Sequence, residues 1–198
     1  MTDPVQSPER NSGSAQPAAD LARIVVFAAF TAVLGTFPGI YLAGAAVPIV
    51  LQNMGPLLAG SVLGARRGAA SMLLFLALVA LGLPLLSGGR GGIGQFFSQS
   101  GGFLIGWVFS ALVVGLIVSA VRRPTLPVLL LANLAGVAVD YLFGVPFMAW
   151  ALEDVRSAVV LSLGFVPGDL AKVVLVSLVA AAVLRAFPNT VPRKGPRR

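Results

Sequence analysis

Long apolar runs, separated by short polar and charged stretches, are the dominant pattern along this chain. About 20 apolar residues are needed to cross the hydrocarbon core of a bilayer as a helix, so runs of this length predict transmembrane helices. Six apolar segments follow one another, over residues 21–40, 47–64, 68–86, 101–121, 126–149 and 167–187. The pattern therefore predicts an all-α, integral membrane six-helix bundle.

The two ends of the chain differ from the apolar part between them. Residues 1–20 are rich in Pro, Ser, Gln, Ala and Asp, and we interpret them as a disordered tail without apolar surface to bury. Residues 21–187 are the membrane domain, and residues 188–198 are a basic tail. The stretch 155–166 is apolar but short for a span, so it is interpreted as a helical or re-entrant cap before the last helix.

The basic residues form short clusters between the apolar segments, and their distribution predicts the orientation of the bundle. With a cytoplasmic N-terminus, eleven of the 14 cations lie on the cytoplasmic side and two, Arg90 and Arg156, lie outside. The remaining one, Lys172, lies within the last segment. Because cytoplasmic loops of membrane proteins carry an excess of Lys and Arg, both termini are expected in the cytoplasm.

Composition excludes several classes of function. The chain has no Cys and no His, which excludes disulfides and thiolate metal sites and removes the commonest metal ligand and general base. No metal site and no cofactor are therefore predicted. The basic residues behind the net charge of +7 form short clusters between apolar segments, as the positive-inside rule describes, so nucleic acid is not expected as a partner. No phosphate-binding Gly-x-x-x-x-Gly-Lys-Ser/Thr motif is present, so energy would come from a partner or from a gradient.

The last apolar segment carries two ionisable residues, Asp169 and Lys172. Their spacing of three places them on one side of a helix, and Pro167 suits an early helix position, so both are expected in the first turns near the external face. Ionisable groups within membrane segments usually have a function, although a self-satisfied ion pair is the alternative. Asp140, in the fifth segment, is open between a function and helix packing.

Further polar and aromatic residues are expected near the same face. Gln52 lies in the outer half of the second segment, and Arg90 lies among glycines in the loop between the third and fourth segments. Gly101 and Gly102 begin the fourth segment, and Tyr41 lies in the first external loop. Arg90 as a solvated loop cation and Tyr41 as an interface anchor are the simpler alternatives.

Together these residues predict a pocket for a small amphipathic ligand. Arg90 and Lys172 suit a carboxylate, Asp169 suits an N–H donor, and apolar walls suit a hydrophobic body. The predicted site is therefore a binding site rather than a catalytic one, since Asp140 and Asp169 lack a recognisable catalytic spacing. An intramembrane enzyme is accordingly not expected.

Four stretches carry a family resemblance: "VPIVLQNMGPLLAGSVLGARRGAAS", "GLPLLSGGRGGIG", "SGGFLIGW" and "GFVPGDLAK". Over residues 21–187 the chain resembles the BioY family, the biotin-specific S components of energy-coupling factor transporters. Ser98-Gln99-Ser100 stands where the family usually has Gly-Pro-Thr before the Gly-Gly of the fourth helix.

The resemblance implies a bacterial inner-membrane protein with six helices and an external biotin site. Asp169, Lys172 and the loop with Arg90 would line that site, and Gln52 would join them. The implied partners are a transmembrane coupling protein, which the Ala28–Ala32 step of the first helix would contact, and two ATPase subunits. A stand-alone secondary transporter of a small organic acid, or of a different vitamin, remains the alternative.

Overall fold

The computed structural model describes residues 12–39 and 50–187. Over these residues the chain is helical, and only an isolated bridge between Leu86 and Arg90 pairs backbone in the manner of a strand. Short 3-10 turns cover Leu51–Asn53 and Ile93–Phe97. The α-helices are α1 (Ser12–Gly35), α2 (Met54–Leu63), α3 (Ala65–Ala80), α4 (Gly101–Ala120), α5 (Leu126–Leu152) and α6 (Val155–Ala186). The expected all-α class is therefore confirmed.

Four helical segments in the described part of the chain are long and apolar enough to cross a membrane, which makes this a multi-pass membrane protein. They are Pro17–Gly35, Gly101–Ala120, Leu126–Leu152 and Val155–Ala186. The helices α2 and α3 are shorter than the segments 47–64 and 68–86 that the apolar pattern predicted for them, with 10 and 16 residues. Six complete spans, and the positions of both termini, stay predictions.

Predicted and observed boundaries also differ at the N-terminus. Helix α1 begins at Ser12, inside the range 1–20 that the sequence assigned to a tail. Residues 1–11 and 188–198 lie outside the described residues, so the division into tails and membrane domain stays a prediction. Asp20 in α1 bridges to Arg67 at the start of α3, with 2.7 Å between Oδ2 and Nη2. This ion pair holds the first turns of α1 against α3.

Gly64 separates α2 from α3. Its φ of 79° lies in the left-handed region that favours glycine, and its N–H still donates to the Gly60 carbonyl oxygen at 3.1 Å. Gly115 of α4 packs directly against this break, because a Cβ there would overlap the backbone of Ala65. The break between the two short helices therefore packs on α4, and α2 ends there after ten residues.

The last helix differs from its prediction. The stretch 155–166 is neither a separate cap nor a re-entrant segment but the first part of α6, which begins after Asp154. The Asp154 side chain starts the helix by accepting hydrogen bonds from the Arg156 N–H at 2.9 Å and the Ser157 hydroxyl at 2.5 Å. Pro167 consequently lies in the helix interior, which membrane helices tolerate. Asp169 and Lys172 lie in the middle of α6, not in its first turns.

Two clusters of buried apolar side chains join the helices, and α4 contributes to both. One cluster links α2, α4, α5 and α6 around Leu57, Leu129 and Val176. The other links α1, α2, α3 and α4 around Phe75 and Trp107, whose rings lie 6.0 Å apart. α4 is therefore the central helix, and its first half faces the site described below.

A buried polar trio connects three helices within the first cluster. The Ser61 hydroxyl donates to Asn133 Oδ1 at 3.1 Å, and Asn133 Nδ2 donates to the Ser177 hydroxyl at 3.0 Å. All three side chains are fully buried. Hydrogen bonds between membrane helices each contribute about 0.6 kcal/mol, with a maximum near 1.7. The trio therefore fixes the alignment of α2, α5 and α6.

We expect Asn133→Ala to lower the stability of the bundle by about 1–2 kcal/mol, because it leaves two buried hydroxyls without their partner. A thermal melt of the purified protein in detergent measures the change. Leu131→Ala is the matched control in the same helix, since Leu131 is 66% exposed. Equal melting temperatures for the two variants would contradict a stabilising trio.

The Ala28–Ala32 step of α1 faces inward. Ala28 is 3% exposed and packs in the cluster around Phe75, and Ala32 packs against the same cluster. Small residues here let α1 approach α3 closely. Because Ala28 offers no free surface, the geometry does not support the expected contact of this step with a coupling protein, which stays a prediction.

Candidate ligand-binding site

A cavity opens at one end of the bundle, among α4, α5, α6 and the segments before α2 and α4. The space between its walls, with the open solvent at its mouth included, is about 650 Å³. The lining combines apolar and aromatic walls with convergent polar groups. It consists of Val50, Gln52, Asn53, Leu86, Ser87, Arg90, Ser100, Phe103, Leu104, Trp107, Asp140, Tyr141, Phe165, Asp169 and Lys172.

Asp169 and Lys172 form a buried ion pair on one side of α6. Their Oδ1 and Nζ atoms are 3.0 Å apart, and the residues are only 5% and 7% exposed. Asn53, from the turn before α2, closes a ring with them: its Nδ2 donates to Asp169 Oδ1 at 2.9 Å, and its Oδ1 accepts from Lys172 Nζ at 3.0 Å. The pair is thus neutralised and oriented at the cavity wall instead of facing lipid.

Tyr141 of α5 engages the second carboxylate oxygen. Its hydroxyl donates to Asp169 Oδ2 at 2.7 Å. Asp169 therefore accepts three hydrogen bonds, and a carboxylate has about four lone-pair sites. Lys172 uses two of its three N–H donors on Asp169 and Asn53. One acceptor site and one donor remain for a ligand that presents an N–H and a carbonyl group side by side.

Arg90 lies in the loop between α3 and α4, on a tight turn. The Leu86 N–H donates to the Arg90 carbonyl oxygen at 2.9 Å, and Gly88 and Gly89 have φ of 80° and 70°. Arg90 Nε donates to the Ser87 carbonyl oxygen at 3.0 Å. Across residues 12–39 and 50–187, no carboxylate lies within ion-pair distance of its guanidinium group. The fork of this half-buried cation is therefore available to an anion.

Gln52 lines the cavity, but its amide is already engaged by the protein. Nε2 donates to the carbonyl oxygens of Thr31 at 3.1 Å and Leu85 at 2.8 Å, and Oε1 accepts the Ser87 N–H at 3.1 Å. Both amide hydrogens are used, so Gln52 has no N–H left to donate to a ligand. Gln52 instead holds the Arg90 loop against α1, and Gly35 leaves room for it.

Gln52→Leu is expected to lower thermal stability and to loosen the Arg90 loop. The backbone groups of Thr31, Leu85 and Ser87 each lose a hydrogen bond, at about 1–3 kcal/mol for each group that stays buried. Trypsin cleaves after arginine, so the rate of cleavage after Arg90 reports on the loop. Gln95→Leu is the control, because no hydrogen bond from the Gln95 side chain is found within the described ranges. Cleavage at the wild-type rate in Gln52→Leu would contradict this role.

Gly101 and Gly102 are not part of the lining. A Cβ on Gly101 would overlap the Phe96 carbonyl oxygen, and one on Gly102 would overlap Phe143 and Phe147 of α5. The two glycines let the start of α4 pack against its neighbours, and their expected contact with a ligand stays a prediction. Tyr41 lies outside the described residues, so its role also stays a prediction.

Sequence reasoning did not include several lining residues among its candidate site residues. Asn53 and Tyr141 bind the Asp169 carboxylate, and Phe103, Trp107 and Phe165 supply the aromatic wall. Two signals in the sequence could have indicated these residues: Asn53 follows Gln52 directly, and Tyr141 lies in an apolar helix. Asp140 was recognised only as an ionisable residue of unknown role, and it lines the same cavity. The aromatic wall carried no signal, because such rings are common in any membrane helix.

Comparison with known proteins gives a consistent result. A model of the BioY family matches residues 6–189. The chain is 41% identical to the biotin transporter BioY of Rhizobium etli over 177 residues, which cover 85% of this chain and 95% of that protein. It is 42% identical to the biotin transporter BioY of Rhodobacter capsulatus over 192 residues, which cover 87% and 96%.

The fold is also similar to that of a solved structure. That structure is a crystal structure of the S-component for biotin from an ECF-type ABC transporter, with a TM-score of 0.78 and 32% sequence identity. The similarity covers 90% of this chain and 98% of the other.

Proposed function

Because this chain belongs to the BioY family, we propose that it is a membrane subunit that captures biotin for uptake and delivers it together with an energising module. One observation carries the proposal: the Asp169–Lys172–Asn53 ring and the free guanidinium group of Arg90 line the same cavity. These groups suit the two polar ends of biotin.

The chemistry of biotin matches the wall of the cavity. Its ureido ring presents N–H donors beside a carbonyl oxygen, which suit the free acceptor site of Asp169 and the free N–H of Lys172. Its fused rings and alkyl chain are apolar and suit Phe103, Trp107 and Phe165. Its carboxylate suits the fork of Arg90. The cavity therefore offers a partner to each part of the molecule.

The orientation in the membrane follows from the charge distribution. With the six spans predicted from the sequence, eleven cations lie on one side and two on the other, and the positive-inside rule then favours both termini in the cytoplasm of a bacterial inner membrane. Arg90 is one of the two external cations, so the cavity beside it faces outward. A biotin molecule arriving from outside would meet the cavity before the cytoplasmic surface.

An energising module is part of the proposal because the chain carries no nucleotide-binding motif. A transmembrane coupling protein and two ATPase subunits would supply the energy. Biotin uptake by cells is measured with and without these subunits, and with a collapsed proton gradient. Uptake that needs the ATPases supports the proposal, whereas uptake that needs only the gradient indicates a stand-alone secondary transporter.

Binding is tested separately from transport. The full-length protein, purified in detergent, is titrated with labelled biotin and with unrelated small organic acids. Saturable binding of biotin alone supports the assignment of the ligand. No binding of biotin, with binding of another acid or vitamin, would overturn it.

A further inference from the structure

Asp140 is a buried carboxyl group without a protein partner in the cavity. It is 7% exposed and lies on α5, next to Tyr141. Within residues 12–39 and 50–187, no donor reaches its buried Oδ1 atom and no cation pairs with it. Buried polar groups are almost always hydrogen-bonded, so we expect Asp140 Oδ1 to have a partner from outside the protein.

The close neighbour of Oδ1 is the backbone of α4. Gly106 stands opposite, and a Cβ there would lie 2.5 Å from Oδ1. The glycine therefore makes room for the carboxyl group but offers it no donor. Because Asp140 also lines the cavity, a ligand there is the remaining source of a hydrogen bond; the carboxyl group must turn about its Cβ–Cγ bond to present Oδ1, which Gly106 now covers.

The charges around Asp140 indicate its protonation state when a ligand is bound. The titratable groups lining the cavity are Asp169 and Lys172 of α6, Tyr141 of α5 and Arg90 of the loop, and α4 contributes none. Asp169 and Lys172 neutralise each other, and Arg90 is left for the ligand carboxylate. An ionised Asp140 would then be a buried charge without a counter-ion, which is strongly unfavourable. Residues 40–49 carry no charged side chain that alters this balance.

We propose that Asp140 binds the ureido ring of biotin directly, as an uncharged carboxyl group; this rests on the proposed function. Its O–H donates to the ureido carbonyl oxygen, and its own carbonyl oxygen accepts one ureido N–H. Asp169 accepts the other N–H. A carboxylic acid and a urea edge are complementary in this way, each with one donor beside one acceptor.

Two substitutions separate the uncharged from the charged form. Asn keeps a donor beside an acceptor, so Asp140→Asn is expected to bind biotin within about 3-fold of wild type, whereas Asp140→Ala binds about 10-fold more weakly. Ser110→Ala is the matched control: Ser110 Oγ is the other buried side-chain atom without a partner in the described part of the chain, and it does not line the cavity. Its affinity stays at the wild-type value.

Equilibrium binding to the full-length protein in detergent measures these affinities, and a melt without biotin tests the fold of each variant. Wild-type affinity in Asp140→Ala would overturn the contact. A loss in Asp140→Asn as large as in Asp140→Ala would overturn the uncharged form. Failure of wild type to bind biotin at all would instead overturn the proposed function.

A second measurement compares two ligands on the same protein, so the folded fraction of a variant cancels from the comparison. Biotin analogues that carry a methyl group on one or the other ureido nitrogen are compared with biotin on each protein. On one of the two analogues, the methyl group weakens binding about 10-fold in wild type and in Asp140→Asn, but much less in Asp140→Ala. Equal losses in all three proteins, on both analogues, would overturn the proposal.

Discussion

Asp169→Asn is expected to weaken biotin binding by about 10- to 150-fold, because it removes the charged acceptor of a ureido N–H, a hydrogen bond of about 1.5–3 kcal/mol. Isothermal titration of the purified variant measures the loss. Asp154→Asn is the matched control, since Asp154 lies outside the cavity and asparagine caps a helix as well as aspartate does. Unchanged affinity in Asp169→Asn would contradict the assignment of the ion pair to the binding site.

The same substitution should also destabilise the empty protein, since it leaves Lys172 as a buried charge without its counter-ion. Breaking a buried pair from one side costs about 3–5 kcal/mol, whereas replacing both partners is often close to neutral. The double variant Asp169→Asn with Lys172→Met should therefore melt at a higher temperature than Asp169→Asn alone, yet still bind biotin more weakly than wild type. A double variant less stable than both single ones would contradict this coupling.

Arg90→Ala is expected to weaken the binding of biotin by at least about 10-fold while leaving the binding of biotinamide nearly unchanged. The reason is that Arg90 has no carboxylate partner in the described part of the chain, and we propose that it pairs with the ligand carboxylate, which the amide lacks. The affinity of Arg90→Lys for biotin should lie between those of wild type and Arg90→Ala, because lysine keeps the charge but lacks the planar guanidinium group.

Competition binding of biotin and biotinamide to the same preparation measures both affinities. Arg156→Ala serves as the control, since Arg156 is exposed at the start of α6 and does not line the cavity. An equal loss for the acid and for the amide would mean that Arg90 supports the loop and does not bind the carboxylate.

The apolar pattern predicted the class of fold well, because lipid solvation imposes a simple rule on helix composition. The expectation that the chain is not an enzyme is confirmed by its membership in a family of transporters. Boundaries were less predictable. Pro167 suggested a helix start, because proline suits the first turn of a helix. In the structure, Asp154 caps the helix instead, and α6 continues past Pro167.

For the cavity, the sequence predicted the ionisable residues but not the groups that hold them. Asp169, Lys172 and Arg90 are conspicuous in an apolar chain, and they share one cavity. Gln52 and Asn53 are chemically equivalent neighbours, and only the turn at Leu51–Asn53 decides that Gln52 faces the loop while Asn53 faces the ion pair. Such a choice depends on backbone direction, which composition does not reveal.

The ring of Asn53, Asp169 and Lys172 joins segments 116 and 119 residues apart along the chain. During synthesis, Asn53 therefore leaves the ribosome long before its two partners. A nascent chain that ends before α6 has Phe103, Trp107 and the Arg90 loop, but it lacks Phe165 and the carboxylate that we propose for the ureido ring. With the proposed function, we expect the ability to bind biotin to arise only when the last helix enters the bilayer, so that a partly assembled subunit does not sequester the vitamin.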